Sequence, residues 1–202
     1  MTEAQNIVLA SGNAGKIAEF SALLADQRWQ VRPQSDFQVT SVEETGLSFV
    51  ENAILKARHA AQLSGFPALA DDSGLEVDAL QGAPGLFSAR YAGEPQDSVA
   101  NCQKLLRELT SVPISQRTAR FRCVTVYMRH AQDAMPLICQ GTWEGRILEA
   151  PRGAGGFGYD PVFWVASEQA SAAELSAERK HQLSHRGQAM RQLLADLVLP
   201  IG

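Results

Sequence analysis

Ser11-Gly-Asn-Ala-Gly-Lys16 follows a short apolar run and precedes a stretch with helical periodicity. Backbone N–H groups at such a junction, the positive end of a helix dipole and a lysine ammonium together suit a phosphate group. The loop is not a Walker A motif, because Ala10 stands at the first glycine position and Ile17 where a Mg²⁺-binding Ser or Thr is required. Metal-assisted chemistry on a phosphate held here therefore needs carboxylates from elsewhere, and two pairs are available. Asp71-Asp72-Ser73-Gly74 comes at the end of an apolar run, where charged groups are costly unless something neutralises them, and Glu43-Glu44 lies in a polar loop. Hard oxygen ligands of this kind suit Mg²⁺ or Mn²⁺, which keep several waters and share phosphate oxygens with a substrate.

Two further segments carry polar chemistry. Gly153-Ala-Gly-Gly-Phe-Gly158 matches G-x-G-x-x-G letter by letter. It is not a dinucleotide fingerprint, because Tyr159-Asp160-Pro161 leads into the apolar run Val162–Val165 instead of a helix. A glycine loop presenting Phe157 fits either a base stacked on the ring or an aromatic anchor packed into the core. Between Glu174 and Arg186, Lys180, His181, His185 and Arg186 crowd ahead of a C-terminal helix, where cations oppose the dipole and call for an anion or an acidic partner. The histidines lack any zinc-type spacing.

The elements that must position these residues follow from periodicity. Asn6–Ala10 reads as a strand and Gly15–Asp26 as a helix with Ile17, Phe20, Leu23 and Leu24 on one face. Ser48–Ser64 reads as a second helix opened by the capping box Ser48-x-x-Glu51 and closed by Gly65 and Pro67. Ala68–Ala70 and Leu75–Leu80 read as strand segments flanking a polar turn at Asp71–Gly74, and Asp97–Leu109 as a third helix. Arg120–Arg129 and Pro136–Leu148 alternate as paired strands across the turn at His130–Met135, Pro161–Val165 is a last strand, and Arg186–Val198 is an amphipathic helix. Interleaved helices and strands followed by hairpin-like strands predict an α/β fold with a mixed sheet, in one domain spanning residues 1–202.

Composition sets the outer bounds. With 202 residues and 45% hydrophobic content the chain can bury a core without a disulfide or structural metal. A net charge of −4 argues against retention on nucleic acid or an anionic membrane by bulk electrostatics. No run of about 18 apolar residues and no leader-like segment at Met1–Ala10 is present, so a cytoplasmic location is expected. Cys102, Cys123 and Cys139 lack C-x-x-C spacing and read as buried thiols.

Taken together, the chain closely resembles the inosine/xanthosine triphosphate pyrophosphatase family. The residues that carry the resemblance are Ala10–Lys16, Glu51-Asn-Ala-Ile-Leu-Lys-Ala57, Ala70-Asp-Asp-Ser-Gly-Leu75, Gly82–Gly85 with Ser88-Ala-Arg-Tyr91, Gly155–Pro161 and Ser184-His-Arg-Gly187. They run in order over nearly the whole length. The resemblance implies an elongated two-lobed α/β fold with a central mixed sheet flanked by helices, a substrate cleft between the lobes, and a homodimer. It also implies Mg²⁺-dependent hydrolysis of ITP, dITP or XTP to the monophosphate and pyrophosphate, with Mn²⁺ as a substitute. Ser11, Gly12, Asn13, Ala14, Gly15 and Lys16 would hold the triphosphate, with Lys56 as a second cation. Asp72 would accept a proton and, with Glu44, bind metal, while Ser73 would contact substrate. Phe157, Gly158, Tyr159, Asp160, Lys180, His185 and Arg186 would enclose base and sugar. Sequence does not separate Glu43 from Glu44 or Asp71 from Asp72.

The implied chemistry agrees with the inventory of residues. Attack of water at the α-phosphorus needs neutralised phosphate oxygens and an oriented water. A site that donates to the 6-oxo group of hypoxanthine or xanthine leaves polar groups unpaired with adenine. A pyrophosphatase for other modified bases, a broad triphosphatase and a non-hydrolysing nucleotide sensor are the competing readings.

Overall fold

The structure, a computed structural model, describes residues 5–24 and 29–198. Residues 1–4 of the N-terminal segment, and the end of the first helix expected at Asp26, lie outside the described residues. In chain order the elements are β1 (Gln5–Leu9), α1 (Ala14–Leu24), β2 (Trp29–Pro33), α2 (Phe49–Ser64), β3 (Ala68–Val77) and α3 (Ser98–Glu108). They continue with β4 (Thr118–Met128), β5 (Leu137–Ile147), β6 (Phe163–Val165), β7 (Ala170–Ser171), α4 (Ala177–Leu183) and α5 (His185–Val198). The strands form one sheet in the order β2-β1-β3-β4-β5-β6-β7. β1 pairs in parallel with β2 and β3, whereas β6 is antiparallel to β5 and β7, so the sheet is mixed as its patterning predicts.

Local rules account for the helix that matters most. Ser48 caps α2 by accepting the Glu51 N–H. Glu51 Oε2 in turn receives the Ser48 hydroxyl at 2.7 Å and the Leu47 N–H at 2.9 Å, a capping box whose return bond is shifted by one residue. Gly65 at φ 73° ends the helix in the left-handed region that glycine reaches without strain. Ala53, Ala57, Ala60 and Ala61 are buried along one face of α2, and side chains this small let the helix lie close to its neighbours.

Asp71–Gly74 is not a turn. β3 runs unbroken through the acidic pair, because cations from neighbouring elements neutralise the carboxylates and the strand need not break to reach water.

The chain forms two compact units. Unit 1 takes Met1–Asp72, Cys123–Gly141 and Arg186–Gly202; unit 2 takes Ser73–Arg122 and Thr142–His185. In unit 1 the strands are covered on both faces. Val8, Ala10, Ala68, Ala70, Val124 and Val126 pack with the alanine face of α2. The alternate residues Ile7, Leu9, Leu69 and Cys123 pack with Phe20 and Leu24 of α1 and Met190 and Leu193 of α5. In unit 2 Leu75, Val77, Phe121, Trp143 and Phe163 form a core with Leu105 and Leu109. The opposite strand face is polar: Arg120 reaches Asp78 at 2.7 Å and Glu144 at 3.0 Å, and Arg122 reaches Glu76 at 3.0 Å.

Cys102, Cys123 and Cys139 are all buried. Burial pushes the Cys123 thiol up to about 12 and those of Cys102 and Cys139 to about 11. Their folded values lie above the roughly 8.5 of an unfolded thiol, so this contribution to stability is intact below that pH and is lost as pH rises toward 11. At pH 8 an aromatic disulfide reagent should therefore react with all three thiols only as fast as the protein unfolds, and the urea midpoint should fall above pH 9. Immediate reaction of the native protein would contradict the burial.

Candidate functional site

Consecutive residues of a strand point to opposite faces, and β3 applies this to two adjacent carboxylates. Asp72 faces α2. Its Oδ1 lies 2.8 Å from Lys56 Nζ, and the same ammonium is 2.9 Å from Glu44 Oε1. Asn52, one turn before Lys56 on the same helical face, donates from its amide to Asp72 Oδ2 at 3.4 Å and accepts the Gly46 N–H at 2.8 Å. Gly46 is needed there, since a Cβ would fall 2.6 Å from Glu51 Cβ and 2.7 Å from Asn52 Oδ1. Glu44 is thus the member of its pair brought to Lys56, while Glu43 is exposed.

Asp71 faces the other way. Its Oδ2 lies 2.9 Å from Lys16 Nζ and 3.3 Å from Arg186 Nη2. Lys16 occupies the first turn of α1, where Asn13 Oδ1 accepts the Lys16 N–H at 3.1 Å as an N-cap and Ser11 Oγ accepts the Asn13 N–H at 3.1 Å. Gly12, Asn13 and Ala14 are exposed, leaving the loop's backbone open to an anion.

The two carboxylates differ in acidity for physical reasons. Burial would raise Asp71, but Lys16, then Arg186 and Lys56, overcome it and hold this carboxyl far below the usual range. At Asp72 burial wins: Lys56 lowers its pKa only in part, Glu44 raises it further, and the net displacement is upward. Lys56 itself is raised, because Asp72, Asp71 and Glu44 outweigh the effect of its own burial.

The remaining candidates fall in unit 2. Asp160 is buried, and its Oδ2 accepts the Phe157 N–H at 2.7 Å and Lys180 Nζ at 2.7 Å. The Lys180 ammonium also sits 4.6 Å from the centre of the Phe157 ring. The Tyr159 hydroxyl donates to the Ser88 carbonyl at 2.8 Å, and Cys102 Sγ lies 3.4 Å from the Gly158 carbonyl. Ser88 in turn accepts the Leu75 N–H at 2.9 Å, so Ser88-Ala-Arg-Tyr91 braces the glycine loop. His185 stacks on Phe121 with ring centres 4.8 Å apart, and Ser73 is half-buried on β3.

The helices expected from periodicity do carry Lys16 and Lys56, and Glu44 does lie in a loop, whereas Asp72, expected in a turn, lies on β3. Sequence reasoning missed Asn52, although the four-residue spacing to Lys56 was the available signal, and it missed Glu19, an ordinary acidic residue of an amphipathic helix. The resemblance places Arg186 with base and sugar, but here its guanidinium is bonded to Asp71 and Glu19. Of the anion or acidic partner that the basic cluster before α5 calls for, the structure shows internal carboxylates: Asp160 beside Lys180, and Asp71 with Glu19 beside Arg186.

A family model described as the Ham1 family matches residues 7–196. The chain belongs to the Ham1 family. A relative from Photobacterium profundum named dITP/XTP pyrophosphatase is 58% identical over 95% of this chain and 97% of its own. One of the same name from Escherichia coli K12 is 57% identical over 94% and 96%. Among solved structures, a HAM1 protein from Coxiella burnetii superposes with a TM-score of 0.88 at 52% identity, covering 96% of this chain and 98% of its own. A nucleoside-triphosphatase, dITP/XTP pyrophosphatase from Mycobacterium abscessus gives 0.74 at 38% identity, covering 98% and 100%. This membership agrees with the family read from the motifs, and the α/β mixed sheet is that of the Ham1 structures.

The donor set of this Ham1 protein can be tested for a divalent cation. Among the described residues no group of three His, Cys, Asp or Glu side chains sits together as a self-sufficient cage. Glu44 and Asp72 nevertheless converge on one point of positive charge, the Lys56 ammonium. Two carboxylates of this kind fit an ion such as Mg²⁺, which takes its other ligands from water and phosphate oxygens.

The glycine loop offers a direct check on the geometry. Gly156 has φ 70°, and an added Cβ would overlap the Asp160 carboxylate; Gly158 has φ 62° with open space around it. Gly156→Ala should cost about 2–4 kcal/mol in urea denaturation and Gly158→Ala about 1 kcal/mol. Equal costs would contradict the close approach of the Asp160 carboxylate to Gly156.

Proposed function

We propose that this chain hydrolyses the non-standard purine nucleoside triphosphates ITP, dITP and XTP to the monophosphate and pyrophosphate, keeping deaminated purines out of DNA and RNA. The observation that supports the reading is the division of Asp71 and Asp72 between two cation-bearing faces of β3, with Lys16 beside one carboxylate and Lys56 beside the other. Relatives named dITP/XTP pyrophosphatase over almost the full length support the substrate class.

In this reading Ser11 to Gly15 receive the triphosphate on backbone N–H groups, and Lys16 and Lys56 balance its charge. Glu44 and Asp72 would hold Mg²⁺, or Mn²⁺ in its place, which when bound neutralises phosphate oxygens and stabilises the charge that builds on them. Asp72 orients a water at the α-phosphorus and accepts its proton. Asn52 holds the second oxygen of Asp72 and so fixes the direction of its lone pairs. Lys16 meets the negative charge that grows on the departing pyrophosphate.

Phe157, Gly158, Tyr159, Asp160, Lys180, His185 and Arg186 are assigned to base and sugar, with Ser73 contacting substrate. The Phe157 ring offers a stacking face and the loop N–H groups offer donors to a 6-oxo purine. Because the Asp160 carboxylate and the Tyr159 hydroxyl are bonded within the protein, their segment serves mainly through backbone groups. Adenine would leave donors aimed at its 6-position without an acceptor, which disfavours ATP. One domain acting as a cytoplasmic homodimer, with no stable nucleic-acid or membrane partner, completes the proposal. No described helix is long and apolar enough to cross a membrane.

Purified protein with Mg²⁺ should release pyrophosphate, not orthophosphate, from ITP, dITP and XTP, with ATP and GTP nearly inert. Orthophosphate release or a preference for a common nucleotide would overturn the assignment. Chelation of divalent ions should stop turnover and added Mg²⁺ restore it; full activity in excess chelator would remove the metal from the scheme. Asp72→Asn should lower kcat by about 10²–10⁴-fold with little change in KM. A change confined to KM would return Asp72 to a binding role.

A further inference from the structure

Asp71 has no part in the scheme above, yet it is the most completely enclosed charge near it. Its side chain has 0% exposure. A single oxygen, Oδ2, receives Lys16 Nζ at 2.9 Å and the Arg186 guanidinium at 3.3 Å from Nη2 and 3.4 Å from Nε. The far side of that guanidinium, Nη1, is bonded to Glu19. Glu19 follows Lys16 by three positions on α1, so the two lie on the same helical face. The result is a closed path of alternating charge, Lys16 to Asp71 to Arg186 to Glu19, that leaves α1, crosses β3 and α5 and returns to α1.

Such a path is not explained by stability. Burying ions carries a large desolvation cost, and well-packed apolar groups of the same volume generally serve a core as well or better. Its position does explain it. A lysine side chain has four rotatable bonds whose freedom must be given up on binding, and here the ammonium is already held where α1 begins. Three donors on Nζ allow it to keep Asp71 while offering the others to a phosphate oxygen.

Resting on the phosphate role given to Lys16 above, we propose that Asp71 is a positioning residue: it pre-orders the Lys16 ammonium for the triphosphate and, through the same oxygen, couples Lys16 to Arg186. Glu19 is the outer anchor of this device. A substrate polyanion then meets a cation whose ordering cost was met on folding, which raises affinity without a new contact.

The test is a double-mutant cycle with Asp71→Asn and Lys16→Met, read by KM and kcat for dITP and by calorimetric affinity for inorganic tripolyphosphate in metal-free buffer. Asp71→Asn should raise KM about tenfold or more and weaken tripolyphosphate by a similar factor, with kcat lowered less. In the Lys16→Met background the same change should add less than twofold, because the residue it acts through is gone. Asp71→Glu should recover part of the loss. A merely structural role would lower the urea midpoint and the active fraction while leaving KM and tripolyphosphate affinity of the folded protein unchanged; that result overturns the proposal, as do additive effects in the cycle. If Asp71→Asn does not fold, Glu19→Gln replaces it: a KM rise of about threefold, absent in the Lys16→Met background, supports the coupling, and an unchanged KM overturns it. Tripolyphosphate binding that depends on Asp71 in a protein inert toward dITP would sustain this inference while sinking the substrate assignment.

Discussion

Two adjacent carboxylates on a buried strand are the constraint around which the rest is arranged. A β-strand must send Asp71 and Asp72 to opposite faces, and neither face of unit 1 offers water in bulk, so each carboxylate needs its own cation. α1 and α5 bring Lys16 and Arg186 to one face, and α2 brings Lys56 to the other. The capped start of α1, the alanine face that lets α2 approach and the Asn52–Lys56 spacing all serve that demand.

The same alternation separates chemical roles. Asp71, overwhelmed by positive charge, is a fixed anion over the whole physiological range, suited to holding other groups still. Asp72 keeps a raised pKa because one lysine shared with Glu44 does not repay its burial. A pair of residues identical in type is thereby divided into one held ionised among cations and one displaced toward its neutral form. The glycine loop of unit 2 follows a parallel logic, with Asp160 tying Phe157 and Lys180 together so that an aromatic face is presented by a loop containing little else but glycine.

Much of this was legible in the sequence. Periodicity placed α1, α2, α3 and α5 within a few residues but not the short α4, the capping box and Gly65 bounded α2, and the hairpin-like alternation of Arg120–Arg129 and Pro136–Leu148 announced a mixed sheet. What failed was local: a polar tetrapeptide after an apolar run reads as a turn unless its neutralising partners are known, and those partners, Lys16, Lys56 and Arg186, come from distant segments. Glu43 and Glu44, like Asp71 and Asp72, are equivalent as letters and become distinct only through the side of the chain on which a lysine waits. The internal partners of Arg186, Asp71 and Glu19, are likewise invisible in its motif, because they come from β3 and α1.

The central claim is that Asp72 directs water to the α-phosphorus while the Lys16 side retains the departing pyrophosphate. Hydrolysis of dITP in H₂¹⁸O, with mass spectrometry of both products after one turnover, tests it most directly. The account predicts one ¹⁸O in the nucleoside monophosphate and none in pyrophosphate. Label in pyrophosphate would mean attack at the β-phosphorus and would contradict it.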